Sequence, residues 1–88
     1  MMYKFSKHCN EQIARRNISQ ELVLRVIYNT TRTYKEEAVT VYESLVNENE
    51  KVYLCRVFVN EEKIPPLIIT AYKTSKLNKY ENKIRQTN

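Results

Sequence analysis

The chain has 88 residues, with 15 Lys and Arg against 10 acidic residues, a net charge of +5, and a pI near 9.3. That length makes one domain, 1–88, which buries roughly 60–65% of its unfolded surface and has room for one sheet and two or three helices. No apolar stretch approaches the roughly 18 residues of a membrane span, and a chain without glycine has no glycine-rich phosphate loop.

The first residues are polar and basic with no leader-like apolar run, so a cytoplasmic location is expected. Ser6 predicts the cap of a first helix over about 7 to 16, with Cys9 and Ile13 inward and His8, Gln12 and Arg15 on a neighbouring face. Asn17 suits the left-handed turn that ends this helix. Ser19 then caps a second helix, which buries Leu22, Val23, Val26 and Ile27 and ends near Asn29.

From Arg32 the period changes to two, predicting strands at about 32–36, 38–46, 51–60 and 65–72. Residues 47–50 and 60–63 are short polar connections, which imply antiparallel hairpins. Pro65 and Pro66 fall at the start of the last strand, where a missing N–H is tolerated. Thr70 and Tyr72, two residues apart, should leave the same face of the sheet. Thr74 or Ser75 offers an N-cap for a final helix over about 75 to 85, with Lys76 in its first turn. Leu77, Tyr80 and Ile84 would share one stripe, and Lys76, Lys79 and Lys83 would lie beside it. A cationic, hydroxyl-rich helix start suits an anion such as phosphate.

The fold class expected is therefore α+β: two N-terminal helices, a four-stranded antiparallel sheet meander and a short C-terminal helix, with helices on one face of the sheet. Arg56 sits oddly between Leu54 and Phe58. A mid-strand arginine either snorkels at an edge or points into a site, and Thr70 and Tyr72 on the adjacent hairpin strand favour the second. Cys9 and Cys55 are far apart and His8 is the one histidine, so no metal cluster is indicated and both thiols read as reduced core residues. Asp is absent and the glutamates read as surface residues, which argues against a two-metal nuclease.

Four segments carry a resemblance over nearly the whole chain. They are Phe5-Ser6-Lys7-His8, Arg16-Asn17-Ile18-Ser19, Tyr53-Leu54-Cys55-Arg56-Val57, and Thr70-Ala71-Tyr72-Lys73-Thr74-Ser75-Lys76 with Lys79-Tyr80. Together they resemble the small bacterial domain-of-unknown-function family forty-two fifty-eight, which is grouped with RelE-like and BrnT-like ribonuclease toxins. Asn17 stands where that family usually carries glycine and Cys9 where alanine is usual. Asn tolerates the same left-handed backbone.

The resemblance implies a RelE/BrnT-like toxin fold and a metal-independent endoribonuclease without cofactor. Its implied partners are RNA, including ribosome-associated mRNA, and a small antitoxin encoded next door. In such chemistry the RNA 2′-OH attacks the adjacent phosphate, so the enzyme needs a proton acceptor, a proton donor and cations. The matching positions are His8 as base or acid, Arg56 and Lys76 as phosphate holders, and Tyr72 as a hydrogen-bond or proton donor. Arg16, Thr70, Lys79, Tyr80 and Lys83 would contact RNA.

Each role has a plainer reading. His8 fits an ordinary surface helix, Arg16 fits a brace on carbonyls at the helix junction, Tyr80 fits packing, and Thr70 fits any strand. The alternative function is a non-catalytic RNA- or ribosome-binding module on the same surface, and a third is a protein-interaction domain for an acidic partner.

Overall fold

The computed structural model describes residues 2–77. Two capped helices come first. Helix α1 spans Lys7–Arg15, and the Ser6 hydroxyl accepts the Cys9 N–H at 3.0 Å. Helix α2 spans Gln20–Tyr28, with Ser19 accepting the Leu22 N–H at 3.0 Å. Each cap satisfies a backbone donor that the helix cannot, worth about 1 kcal/mol. Between them Asn17 adopts φ 58°, the left-handed turn its residue type suits.

Short strand β1, Lys4–Phe5, precedes α1; after α2 come β2 (Arg32–Glu36), β3 (Val39–Glu48), β4 (Lys51–Asn60) and β5 (Leu67–Thr74). They form one five-stranded sheet in the order β1-β5-β4-β3-β2, antiparallel except for the parallel pair β1 and β5. The expected four-stranded antiparallel meander is thus incorrect. Two residues are too few to display an alternating pattern, and β1 exists through its pairing. The Lys4 N–H donates to the Pro66 carbonyl at 2.9 Å and the Ser6 N–H to the Ile68 carbonyl at 3.0 Å.

The expected C-terminal helix also fails where it can be compared. Strand β5 runs on through Thr74, because Leu54 and Cys55 of β4 pair with Thr74 and Lys73. Sheet pairing here overrides the local capping signal. Ser75 to Leu77 are bend and turn rather than helix, and among the described residues there is no third helix. The remainder of that helix, with Lys79, Tyr80, Lys83 and Ile84, lies outside the described residues.

The core lies between the helices and one sheet face. Cys9, Ile13, Ile18, Leu22, Val23, Val26 and Ile27 pack with Cys55, Val57 and Val59 of β4 and Ile68 and Ala71 of β5. Ile68 and Ala71, three apart, share this face because β5 carries an irregularity there: Thr70 faces Phe58 while Ile68 faces Val59. The alternate residues of β3 and β4 face the other way.

Candidate functional site

The face opposite the helices is built in cross-strand rows, and its register follows from one turn. Asn49 and Glu50, at φ 50° and 66°, make the two-residue connection between β3 and β4. Counted outward from that turn, Glu43 and Arg56 are each six residues away and so face one another. Arg32 of β2 faces Glu43 on one side, and Tyr72 of β5 faces Arg56 on the other. The row across four strands is Arg32, Glu43, Arg56, Tyr72.

Side-chain contacts join the row. Arg56 Nε donates to Glu43 Oε2 at 2.5 Å and Arg56 Nη1 donates to the Tyr72 hydroxyl at 2.8 Å. Arg32 forms an ion pair with the other carboxylate oxygen of Glu43. Glu43 is 0% exposed and Arg56 9%. Burial by itself would weaken the hold of Arg56 on its proton, but the Glu43 and Tyr72 contacts outweigh it and keep the guanidinium charged. Tyr34, beside this row, has its phenol held above the ordinary range by burial, which the Arg56 charge partly offsets. Two guanidiniums against one carboxylate leave the row net cationic.

The reading of every glutamate as a surface residue is therefore incorrect for Glu43. Glu43 shares the buried stretch of its strand face with Val41, both 0% exposed, and two arginines compensate its desolvation. The turn count above could have placed it opposite Arg56.

A second set lies along α1 at the edge of β5. Gln12 and Arg16 are one turn apart, and Thr70 donates its hydroxyl to Gln12 Oε1. Arg16 Nη1 donates to the Ala71 carbonyl at 2.8 Å and lies 3.4 Å from the Thr70 hydroxyl. Arg16 does brace a carbonyl, on β5 rather than within the helix junction. His8 is one turn before Gln12 on the same stripe, exposed, and bonded to none of the described residues. Thr70, two residues from Tyr72, links the two sets along β5.

The structure thus joins Arg56 to Tyr72 and Arg16 to Thr70, and it adds Glu43, Arg32 and Gln12, which the sequence reading left out. It does not bring His8 into contact with Arg56 or Tyr72. Lys76 is exposed just past β5, where its N–H donates to the Thr74 hydroxyl at 3.0 Å in a short turn. A helix-start anion site at Lys76 is not formed by the described residues. Among them no three His, Cys, Asp or Glu side chains cluster as metal ligands, and no helix is long and apolar enough to cross a membrane.

Compared with known protein families, curated protein sequences and solved structures, the chain matches none. The resemblance drawn above rests on its quoted residues.

Proposed function

We propose that this protein is a metal-independent endoribonuclease of the toxin kind, acting on RNA from the sheet face that carries Arg56 and Tyr72. The observation that supports this most is the 2.8 Å hydrogen bond from Arg56 to the Tyr72 hydroxyl, in a row with surplus positive charge. The hydrogen bond from Arg56 polarises the Tyr72 hydroxyl, which gives its proton to a leaving 5′-oxygen. Arg56, held by Glu43, would meet the charge that develops on the phosphate oxygens, and a preorganised cation of this kind needs no reorganisation during reaction. His8 takes the 2′-OH proton from the α1 stripe. A small acidic antitoxin covering the same cationic face would silence it.

A non-catalytic RNA-binding module is the second reading. It is favoured by the separation of His8 from the Arg56–Tyr72 pair, since a base and an acid must both reach one phosphate.

Incubation of the purified protein with mixed RNA in EDTA, followed by end-group mapping, separates the two. The first reading expects 2′,3′-cyclic phosphate ends, with rates lowered roughly 100-fold or more in folded His8→Ala and Tyr72→Phe. RNA bound by the folded wild type without cleavage would move the second reading ahead. Equal cleavage by His8→Ala would keep the enzyme and remove its assigned base.

A further inference from the structure

On the helix side of the sheet an open groove of about 540 Å³ runs between the α1–α2 junction and the β3–β4 turn. It is lined by Arg16, Asn17, Glu48, Asn49, Tyr53 and Lys73. One lining residue, Tyr53, has two ammonium groups over its ring: Lys73 Nζ lies 5.2 Å and Lys51 Nζ 5.6 Å from the ring centroid. Lys73 also forms an ion pair with Glu48. With that pair neutralised, the Arg16 and Lys51 charges remain.

We infer that this groove binds one nucleotide of single-stranded RNA, with its base stacked on Tyr53 and its phosphates met by Arg16 and Lys51. Stacking requires an aromatic face at the edge of a cationic track, which is the arrangement that holds single strands without sequence preference. The half-buried Tyr53 ring is covered by ammonium groups, and a base stacks on it by displacing that of exposed Lys51, which then meets the adjoining phosphate. The Asn17 and Asn49 amides offer donors and acceptors to a base edge, and Glu48 accepts from a 2′-OH or an exocyclic amine. An acidic peptide would meet the same cations but has no base to lay on the Tyr53 ring. The groove volume falls within the about 300–1,000 Å³ usual for small-ligand sites.

The inference rests on the RNA reading above and extends it. Arg16 belongs to both places, because its Nη1 reaches the Thr70 hydroxyl and the Ala71 carbonyl while the side chain lines the groove. Tyr72 and Lys73 are neighbours on opposite faces of β5, as their partners Arg56 and Cys55 show. Strand β1 pairs only with Leu67 and Ile68, so among the described residues the later part of β5 is an edge. A single strand leaving the Arg56–Tyr72 row turns round that edge and meets Tyr53 next.

Fluorescence anisotropy with a labelled ten-nucleotide oligouridylate tests this on the whole chain, with polyglutamate as a competitor. Tyr53→Ala should weaken binding roughly tenfold or more, Tyr53→Phe should restore most of it, and Lys51→Gln should make the salt dependence shallower. Circular dichroism checks the fold of each variant. Photo-crosslinking of wild type to a 4-thiouridine oligomer, which needs no variant, should yield an adduct in the peptide bearing Tyr53. Oligouridylate bound with unchanged affinity by folded Tyr53→Ala, and crosslinked elsewhere, would overturn the groove and leave the ribonuclease reading standing. Binding through Tyr53 without cleavage would uphold the groove and discard the nuclease. Polyglutamate bound in preference to RNA would overturn the groove in favour of a protein partner.

Discussion

Strand β4 shows two solutions to burial on one backbone. Toward the helices it presents Cys55, Val57 and Val59, all 0% exposed and packed on aliphatic side chains. Toward the other face it presents Leu54, Arg56 and Phe58, and the middle residue brings a buried guanidinium and its buried carboxylate partner with it. The first face stabilises the fold through apolar area removed from water. The second spends much of its Coulombic gain on desolvating the charges it pairs. A scaffold needs only the first kind, and the ionic row is therefore where function is sought.

The largest expected effect separates the faces directly. Glu43→Ala leaves Arg32 and Arg56 without their shared carboxylate and should destabilise by about 3–5 kcal/mol. Replacing the set together, as Arg32→Met, Glu43→Leu and Arg56→Met, should be neutral or stabilising by up to about 4 kcal/mol while RNA binding or cleavage is lost. Urea unfolding and the RNA assays read both. A triple variant that unfolds as readily as Glu43→Ala would make the row structural and erase the contrast.

The helix face should answer to pH instead. Burial pushes the Cys55 thiol from the ordinary 9.0 to about 11, against a smaller opposing pull from Lys73. The folded state then holds a proton that the unfolded chain releases first, so stability falls as pH rises from about 9 to about 11 and levels off above. The loss from this group should be about 3 kcal/mol. Thermal unfolding across that range, compared between wild type and Cys55→Ala, should show a flatter alkaline limb in the variant. Parallel limbs would mean that Cys55 is not the responsible group.

The helix face was the more legible of the two. Ser6, Ser19 and Asn17 act within a few residues of themselves, and the stripe of Leu22, Val23, Val26 and Ile27 repeats at helical spacing, so local pattern sufficed. Arg56 stands out as a charge in an apolar run, and the structure gives it Glu43 and Tyr72 as partners across the sheet. The rest depended on partners distant in the chain. Strand β1 is defined by β5, more than 60 residues later, and Thr74 is strand because of Leu54 rather than because of its own neighbours. Glu43 was hidden by the habit of placing glutamate outside. For Gln12 the local pattern specifies only a face, and its tie to Thr70 crosses 58 residues. The proposed roles of Lys79, Tyr80 and Lys83 lie outside the described residues.

The smallest expected effect sits at the turn that sets both faces in register. Glu50 has φ 66° and Asn49 φ 50°. Asn visits this region readily, whereas for glutamate the Cβ makes the left-handed conformation costly by roughly 1–2 kcal/mol. Glycine removes that cost but adds freedom to the unfolded chain, which gives back roughly 0.4–1 kcal/mol. Glu50→Gly should therefore stabilise by about 0.5–1 kcal/mol and raise Tm by a few degrees. Because the substitution leaves the side chains of both faces in place, the alkaline limb set by Cys55 and the RNA cleavage set by Arg56 should both keep their shape. A shift in both would mean that the register around Glu43 and Arg56 had moved with the turn, and the two faces would then have to be treated as one coupled unit.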